Sequence, residues 1–437
     1  MKRLASVILL ILCTILLSSC AKSNLIDATL RSPKKMAYDE DHYKTNEYLQ
    51  LINGLSRFSY NFSSAYIKNA GITENIAVSP LSVYMALSLA SECSSGNTRS
   101  EILNALGVTQ ETLQSNIAYL YNMCNKIFDV TEPITLVKKE MGRITLSNSL
   151  WFDENITLKD KTLDILASKY QCYSYKTDFL KHNKEANSLI REFVKEKTNG
   201  LIDQEFNLDK STAFALINTL YLKDIWTRYV EELSFSTKTY DFKNSDGSIS
   251  SKNLLEGYYK SGLAREEDKY SVFHTFTENG ISITFILPKD GYNLIDIYTK
   301  ETLEEVRGMI YKTQDDTLME KYFTRCIFPE FEASSNSDIK AILKSSFGIS
   351  DLFTDRCDYS SVTDTACYCD KVIHVAKLNV DKKGIEGAAV TVLSNATSAG
   401  PEEYEIVYRD FVIDRAFGYL VEYGGIPLFT GTINHIE

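Results

Sequence analysis

The chain has 437 residues, 44% of them hydrophobic, and a formal net charge of −11 at pH 7. This apolar share is enough to bury a large core. An acidic chain without a run of basic residues argues against nucleic-acid binding and against a heparin-like cofactor site, because both need clustered lysine and arginine.

The N-terminus has the pattern of an export signal. The chain begins Met-Lys-Arg, continues with an apolar run over residues 4–17 and reaches Leu-Ser-Ser before Cys20. An apolar run this short, followed by small residues, predicts a cleaved signal rather than a membrane-spanning helix. We therefore predict a signal peptide over residues 1–19 and a tether over residues 20–45, which are polar and mixed in charge.

Cys20 itself is typical of a bacterial lipoprotein, in which this thiol is acylated and becomes the first residue of the mature chain. An ordinary secretory signal with an incidental cysteine is the alternative. Two or three acyl chains hold a protein on a membrane far more firmly than one does. Residue 21 is alanine rather than the aspartate that tends to keep lipoproteins at the inner membrane. We therefore predict an exported outer-membrane lipoprotein that faces the periplasm or the outside.

Helices are predicted mainly in the first half of the chain. Apolar residues recur at helical spacing, and Ser79-Pro80 is a typical helix start. We predict helices over residues 46–69, from Ser79 onward, after a cap at Asn97 or Thr98, over 158–169 and over 185–198.

Strands are predicted mainly in the second half, where β-branched and aromatic residues form short runs. These runs cover residues 143–152, 211–222, 281–287, 372–380 and 417–423. Early helices and late strands predict the α+β class rather than a βαβ repeat. No internal repeat or proline-rich linker divides residues 46–437, so we predict a single domain.

Residues 384–400 form an unusual segment without proline, lysine, arginine or aromatic residues. Small and β-branched residues alternate in it as in a strand. One face of the pleat would hold Ile385, Gly387 and Ala389, and the other would hold Glu386, the only charge. We interpret the segment as a strand that has not yet joined a sheet. A mobile surface loop is the alternative.

No catalytic motif occurs in the chain. None of its five histidines lies in a nucleophile elbow, a His-Glu-x-x-His helix or a paired Cys/His signature, and no glycine-rich loop for phosphate is present. The sequence therefore predicts a protein that is not an enzyme and needs no cofactor.

A series of short motifs follows a fixed order along the chain. They are NIAVSPLSV at 75–83, GNTR at 96–99, EILNAL at 101–106, NSLWF at 148–152, NTLYLKDIW at 218–226, ISITFILPK at 281–289, FGISDLF at 347–353, KVIHVAKLNVDKKG at 371–384, FVIDRAF at 411–417 and PLFTG at 427–431. In order and spacing they resemble the serpin family from about residue 47 to the end.

The resemblance implies a serpin fold, with about nine helices around three β-sheets and an exposed C-terminal reactive-centre loop at about residues 384–410. It also implies a monomeric suicide-substrate inhibitor. A serine endopeptidase attacks the loop and forms an acyl-enzyme, and the freed loop then inserts into the central sheet and distorts the protease. Papain-like cysteine proteases are an alternative target class.

The resemblance also assigns a hinge at the start of the loop. Its residues are Gly384, Ile385, Glu386, Gly387, Ala388 and Ala389. Ile385 stands where inhibitory members usually carry threonine or serine, and its bulk could slow the first step of insertion. No inward position carries a charge, so inhibition is expected. The alternative is a non-inhibitory serpin that acts as a surface binding protein.

The reactive bond is expected at Ser398-Ala399, or alternatively at Tyr404-Glu405. The first site comes from counting forward from the hinge, and the second from counting back from the following strands. The first would suit elastase-like or subtilisin-like proteases, and the second a chymotrypsin-like one. No basic residue occurs in the loop before Arg409, which disfavours trypsin-like targets.

A polar cluster is implied by the resemblance under the middle of the central sheet, where it regulates opening. Its members are Ser79, Ser82, Asn218 and His374. Trp226 matches an aromatic residue near the point where the loop enters the sheet. Taken alone, His374 would read as a core residue with one hydrogen bond.

Seven cysteines remain after Cys20, and an odd number in an exported chain predicts at least one free thiol. Cys357, Cys367 and Cys369 are close enough in sequence to suggest a local disulfide. A metal site is the alternative, but only His374 lies nearby, and no metal is predicted. The residues expected as buried small hydrophobic side chains are Cys93, Cys124 and Cys172.

Overall fold

The computed structural model describes residues 25, 27–34, 39–131, 138–226, 233–259, 263–312, 322–369, 371–385 and 407–436. Nine α-helices occur within these ranges. They are α1 (Asn46–Ala70), α2 (Pro80–Cys93), α3 (Gly96–Leu106), α4 (Gln110–Met123), α5 (Asp160–Lys169), α6 (Asn183–Lys197), α7 (Leu294–Ile297), α8 (Lys300–Lys312) and α9 (Lys340–Phe347). Short 3-10 helices cover Glu40–Lys44 and Asp351–Phe353.

Eighteen strands occur in the same ranges. They are β1 (Thr29–Arg31), β2 (Ile76–Val78), β3 (Lys126–Thr131), β4 (Lys138–Asp153), β5 (Cys172–Thr177), β6 (Phe214–Ile225), β7 (Ser234–Lys243), β8 (Ile249–Tyr259), β9 (Leu263–Glu266), β10 (Tyr270–Phe276), β11 (Ile281–Pro288), β12 (Tyr322–Phe328), β13 (Phe331–Asp338), β14 (Ile373–Asp381), β15 (Gly384–Ile385), β16 (Val407–Val412), β17 (Phe417–Tyr423) and β18 (Ile426–Ile433).

The strands form three sheets. The central sheet has eight strands in the order β1-β5-β4-β6-β15-β14-β13, with β3 paired to β4. The second sheet has the order β2-β18-β17-β11-β10-β9, and the third has the order β16-β12-β8-β7. The predicted α+β class, with about nine helices around three sheets, is confirmed for the residues that the structure describes.

Helix α2 lies in the core between two sheets. It packs against β6 of the central sheet and against β18 of the second sheet. It is buried on nearly every side, as its apolar sequence requires. The hydroxyl oxygen of Ser79 accepts a hydrogen bond from the Ser82 amide and caps the helix, with Pro80 in the first turn as predicted. This cap fixes both serines beneath the central sheet.

The predicted cap of α3 is wrong. Helix α3 begins at Gly96, after Ser95, so Asn97 and Thr98 both lie inside its first turn. The Asn97 side chain donates instead to the Asp351 carboxylate at 2.6 Å. A partner more than 250 positions away in the chain therefore uses the side chain that local sequence assigns to capping.

Part of the predicted tether is folded against the domain. Strand β1, within residues 20–45, pairs with β5 at the edge of the central sheet. Arg31 binds the carboxylates of Asp160 and Asp164 on α5 at 2.7 and 3.2 Å. The free part of the tether is therefore shorter than the sequence indicates. Among the described residues, no helix is long and apolar enough to cross a membrane.

Candidate functional site

The central sheet contains a gap between two long strands. The described residues of β6 and β14 make no backbone pairing with each other. The two-residue strand β15 is their only link, and it pairs with the last two residues of β6 and the last two of β14. Residues 214–223 of β6 and 373–379 of β14 border the rest of this space, which we call the β6–β14 gap.

A cavity of about 670 Å³ lies at the end of the β6–β14 gap that is distant from β15. Residues 214–218 of β6 form one wall and residues 373–375 of β14 form another. Ser82 and Leu87 of α2 line it from beneath. The central sheet therefore contains space between β6 and β14, and their backbone edges that face this space have no partner strand among the described residues.

The first two residues of the predicted loop already belong to the sheet. This corrects the expectation that the whole segment 384–400 has not yet joined one. An added Cβ atom at Gly384 would lie 1.9 Å from the carbonyl oxygen of Asp224, so only glycine fits there. Ile385 is fully buried, and its side chain therefore faces the core. By strand alternation, the inward face predicted for the following residues continues from Ile385.

Trp226 holds the turn that leads into β15. Its backbone amide donates to the Lys383 carbonyl at 3.2 Å, and its indole Nε1 donates to the Asp381 carbonyl at 2.8 Å. The ring also makes an edge contact with Phe328, with the ring centroids 5.7 Å apart. Trp226 thus lies where the loop enters the sheet, and it fixes the turn through two backbone oxygens.

Asp224 supports the same entry point, and sequence reasoning missed it. It faces Ile385 in the β6–β15 register and is buried. Its carboxylate accepts hydrogen bonds from the Thr277 hydroxyl at 2.5 Å and the Asn279 side chain at 2.6 Å. The amides of Asn279 and Ile225 donate to it as well. Burial raises its pKa, and these hydrogen bonds act in the opposite direction. The sign of this role in the sequence is that Asp224 is an acidic residue within an otherwise mainly apolar strand.

Three of the four predicted cluster residues contact one another beneath the gap. The Ser79 amide donates to Nε2 of His374 at 3.2 Å, and the Ser79 hydroxyl donates to the Ser82 hydroxyl at 3.0 Å. His374 is buried between the rings of Phe62 and Tyr66. Burial lowers the pKa of His374 to about 4, so the imidazole is neutral at pH 7 and accepts through Nε2.

Asn218 lies on the wall of the same cavity but bonds elsewhere. Its side-chain amide donates to Oδ1 of Asn148 on β4 at 2.6 Å. Asn148 in turn donates to the Tyr170 carbonyl at 2.9 Å. The buried Oδ1 of Asn218 has no hydrogen-bond partner among the described residues. Asn148 is thus a further polar contact of this region, which sequence reasoning did not assign to the cluster.

The family comparison matches almost the whole domain. The model described as Serpin (serine protease inhibitor) matches residues 53–436. The chain belongs to the serpin family. Serpin A3-6 of Bos taurus is 30% identical to it over 370 residues, which cover 82% of this chain and 83% of that relative.

Solved structures share the fold of this serpin. The native thermophilic serpin tengpin has a TM-score of 0.70 at 22% identity and covers 94% of this chain and 98% of its own. A thyroxine-binding globulin in complex with thyroxine has a TM-score of 0.67 at 21% identity, with 88% and 98% covered.

Most of the predicted reactive loop lies outside the described residues. This applies to four hinge positions, to both candidate reactive bonds and to the lipidation site. They are Glu386, Gly387, Ala388, Ala389, Ser398, Ala399, Tyr404, Glu405 and Cys20. Their roles stay predictions.

All seven cysteines after Cys20 are described and occur as thiols, so the suggested local disulfide is not formed in this structure. Cys93, Cys124 and Cys172 are fully buried, as expected for small hydrophobic side chains. No group of three metal-ligating side chains occurs among the described residues.

Proposed function

We propose that this serpin is a suicide-substrate inhibitor of an endopeptidase. The target would cleave the loop after Ile385, and the freed segment would continue β15 into the β6–β14 gap. The observation that carries this proposal is that the described residues of β6 and β14 pair with β15 at one end only and continue unpaired with each other beside a cavity of about 670 Å³.

Insertion would lower the free energy of the molecule. A strand placed between β6 and β14 makes backbone hydrogen bonds on both sides, and each contributes about 1 kcal/mol net. Over the seven residues of β14 beyond β15, the gain is therefore on the order of 10 kcal/mol. An uncut loop is held at both ends and cannot insert fully, which makes the native form kinetically stable.

The loop sequence is compatible with this step. Alternation from the buried Ile385 places Gly387, Ala389 and Thr391 inward, and all three are small. Glu386, the only charge in residues 384–400, falls on the opposite face. A buried unpaired charge would oppose insertion, and this alternation avoids it.

The target class follows from the expected reactive bond. Cleavage at Ser398-Ala399 suits an elastase-like or subtilisin-like protease, and cleavage at Tyr404-Glu405 suits a chymotrypsin-like one. A papain-like cysteine protease is also within the proposal. In this role the serpin reacts once with its target and does not turn over a substrate as an enzyme does.

We propose a location at the bacterial outer membrane. Cys20 would carry the acyl chains, and the residues before β1 would separate the domain from the lipid. This location would bring the inhibitor to proteases outside the inner membrane.

A non-inhibitory binding protein is the second candidate. The similar fold of a thyroxine-binding globulin in complex with thyroxine supports it. So does Ile385, whose bulky side chain already occupies the first inward position.

One gel separates the two candidates. The chain from residue 21, which lacks the signal peptide and Cys20, is incubated with elastase-like, subtilisin-like, chymotrypsin-like and papain-like proteases and then denatured in detergent. A band at the summed mass of serpin and protease supports inhibition. Complete cleavage of the loop without such a band, across the whole panel, would favour the binding protein.

A further inference from the structure

Three cysteines lie around one cavity, at the end of the β6–β14 gap that is distant from β15. Cys357, Cys367 and Cys369 all line the cavity there. Their segments are held by the same 3-10 helix, Asp351–Phe353, and by the turn after it. The Cys357 amide donates to the Thr354 carbonyl at 3.0 Å, and the Cys369 amide donates to the Leu352 carbonyl at 3.0 Å. The fold thus places all three cysteines on the wall of one cavity.

Of the three cysteines, Cys357 and Cys367 are the candidates for a bond with each other. The Sγ atom of Cys369 donates to the Lys371 carbonyl at 3.2 Å, which directs it along its own chain. Burial raises the pKa of Cys357 to about 12, and the charge on an ionised Cys367 is the next largest cause. The Cys357 and Cys367 thiols are therefore within electrostatic range of each other. An ionised Cys369 would raise the pKa of Cys357 by a smaller amount.

We propose that Cys357 and Cys367 form a disulfide when the protein folds in an oxidising compartment. Two S–H bonds break and one S–S bond forms. The two electrons and the two protons pass to a low-molecular-weight or protein disulfide, whose S–S bond breaks to give two thiols. The proposal concerns a modification of the domain and does not depend on whether the serpin inhibits a protease.

The disulfide would fix one wall of the cavity. It would close a ring of eleven residues that contains Tyr359. Tyr359 is buried against Phe214, the first residue of β6, with the ring centroids 4.4 Å apart. Thr363 of the ring pairs with Leu158, just before α5. Closing the ring would restrict the unfolded chain and would hold this wall against β6.

The test maps disulfides after oxidative refolding. The chain from residue 21 is denatured, refolded in a reduced and oxidised glutathione buffer, alkylated and digested without reduction. Refolding is used because a raised thiol pKa makes exchange slow in the folded protein. An aspartate-directed protease cuts before Asp358 and Asp364, and chymotrypsin cuts after Tyr368, so the peptides of Cys357, Cys367 and Cys369 are separated.

The expected product is one cross-linked pair joining Cys357 to Cys367, which disappears after reduction. The Cys369→Ser variant should keep this pair, and the Cys367→Ser variant should lose it. Reduction should lower the melting temperature of the wild type by several degrees and leave that of Cys367→Ser unchanged. Complete alkylation of Cys357 and Cys367 after refolding, or a pair between Cys357 and Cys369, would overturn the proposal.

Discussion

Gly384 and Asp224 approach so closely that a Cβ atom on residue 384 would lie 1.9 Å from the Asp224 carbonyl oxygen. The contact is between backbone atoms of adjacent strands, so a rotamer change cannot relieve it. In the β15–β6 register Gly384 faces Ile225 and Ile385 faces Asp224, so this contact is diagonal to the two residue pairs. The start of the predicted reactive loop therefore lies in the sheet only because residue 384 has no side chain.

Replacing Gly384 with alanine should release β15 from the sheet. The clash with the Asp224 backbone should cost about 1–3 kcal/mol and expel Ile385 from its buried position. The expected result is a lower melting temperature of the native form and faster proteolysis of the loop by a broad-specificity protease. Calorimetry and timed proteolysis measure the two effects.

Gly308→Ala is the matched control for this change. A Cβ atom at Gly308 in α8 has no neighbour within 4 Å, and alanine favours a helix by about 1 kcal/mol over glycine. The control should therefore keep or raise the melting temperature. Equal effects of the two substitutions would contradict the seating of β15.

A charge on the inward face of the loop should turn the inhibitor into a substrate. Ala389 has the parity of the buried Ile385, whereas Ala388 has the opposite parity. Ala389→Arg would bury an unpaired charge during insertion and should abolish the detergent-resistant complex while cleavage continues. Ala388→Arg should retain most of the complex. The stoichiometry of inhibition measures both, and a complex of undiminished yield with Ala389→Arg would reverse the assigned face.

Local sequence patterns predict those helices and strands whose position follows from their own periodicity of apolar residues. The helix expected over residues 46–69 is α1 (Asn46–Ala70), and the strand expected over 417–423 is β17 (Phe417–Tyr423). Both have a periodicity that burial enforces along the whole element. The inward direction of Ile385 was predicted for the same reason.

Features that depend on distant contacts could not be predicted in this way. Strand β1 owes its place to pairing with β5 and to acidic residues of α5. Asn148 on β4 bonds to Asn218 on the neighbouring strand β6, 70 positions later in the chain. Nothing in the sequence around either residue indicates the other. The entry of Gly384 into the sheet depends on the Asp224 backbone, which no pattern in residues 384–400 reveals.

Two buried histidines should make stability fall as the solution is acidified. Burial lowers the pKa of both His274 and His374 to about 4 from an ordinary value of 6.5. Protons then bind the unfolded chain more tightly, so the stabilisation is complete above pH 6.5 and is lost as pH falls toward 4. Each histidine should account for about 3 kcal/mol over this range.

Single variants separate the two histidines. His374→Gln, which still offers an oxygen to the Ser79 amide, and His274→Gln should each remove about half of the histidine contribution. Melting temperatures recorded at one scan rate between pH 4 and 7 provide the comparison. If both variants kept the full wild-type loss on acidification, the buried histidines would not be its cause.

Glu422 should have the opposite effect at higher pH. It is buried on β17, accepts a hydrogen bond from the Tyr60 hydroxyl at 3.4 Å, and its pKa is raised by burial to about 7. Because the folded pKa exceeds the unfolded value of 4.5, its stabilising contribution is complete below pH 4.5 and is lost as pH rises to 7. The loss should be about 3 kcal/mol.

Glu422→Gln should remove this loss, because the amide keeps an acceptor for Tyr60 and never ionises. The variant should therefore melt at a higher temperature than the wild type at pH 8, and the difference should shrink on acidification toward pH 4.5. Glu304→Gln, at a half-exposed carboxylate of α8, is the control and should leave the pH profile unchanged. A constant difference between Glu422→Gln and the wild type across this range would show that the pKa of the Glu422 carboxyl is the same in the folded and unfolded states. The buried histidines would then remain as the groups that set the acid limit of stability.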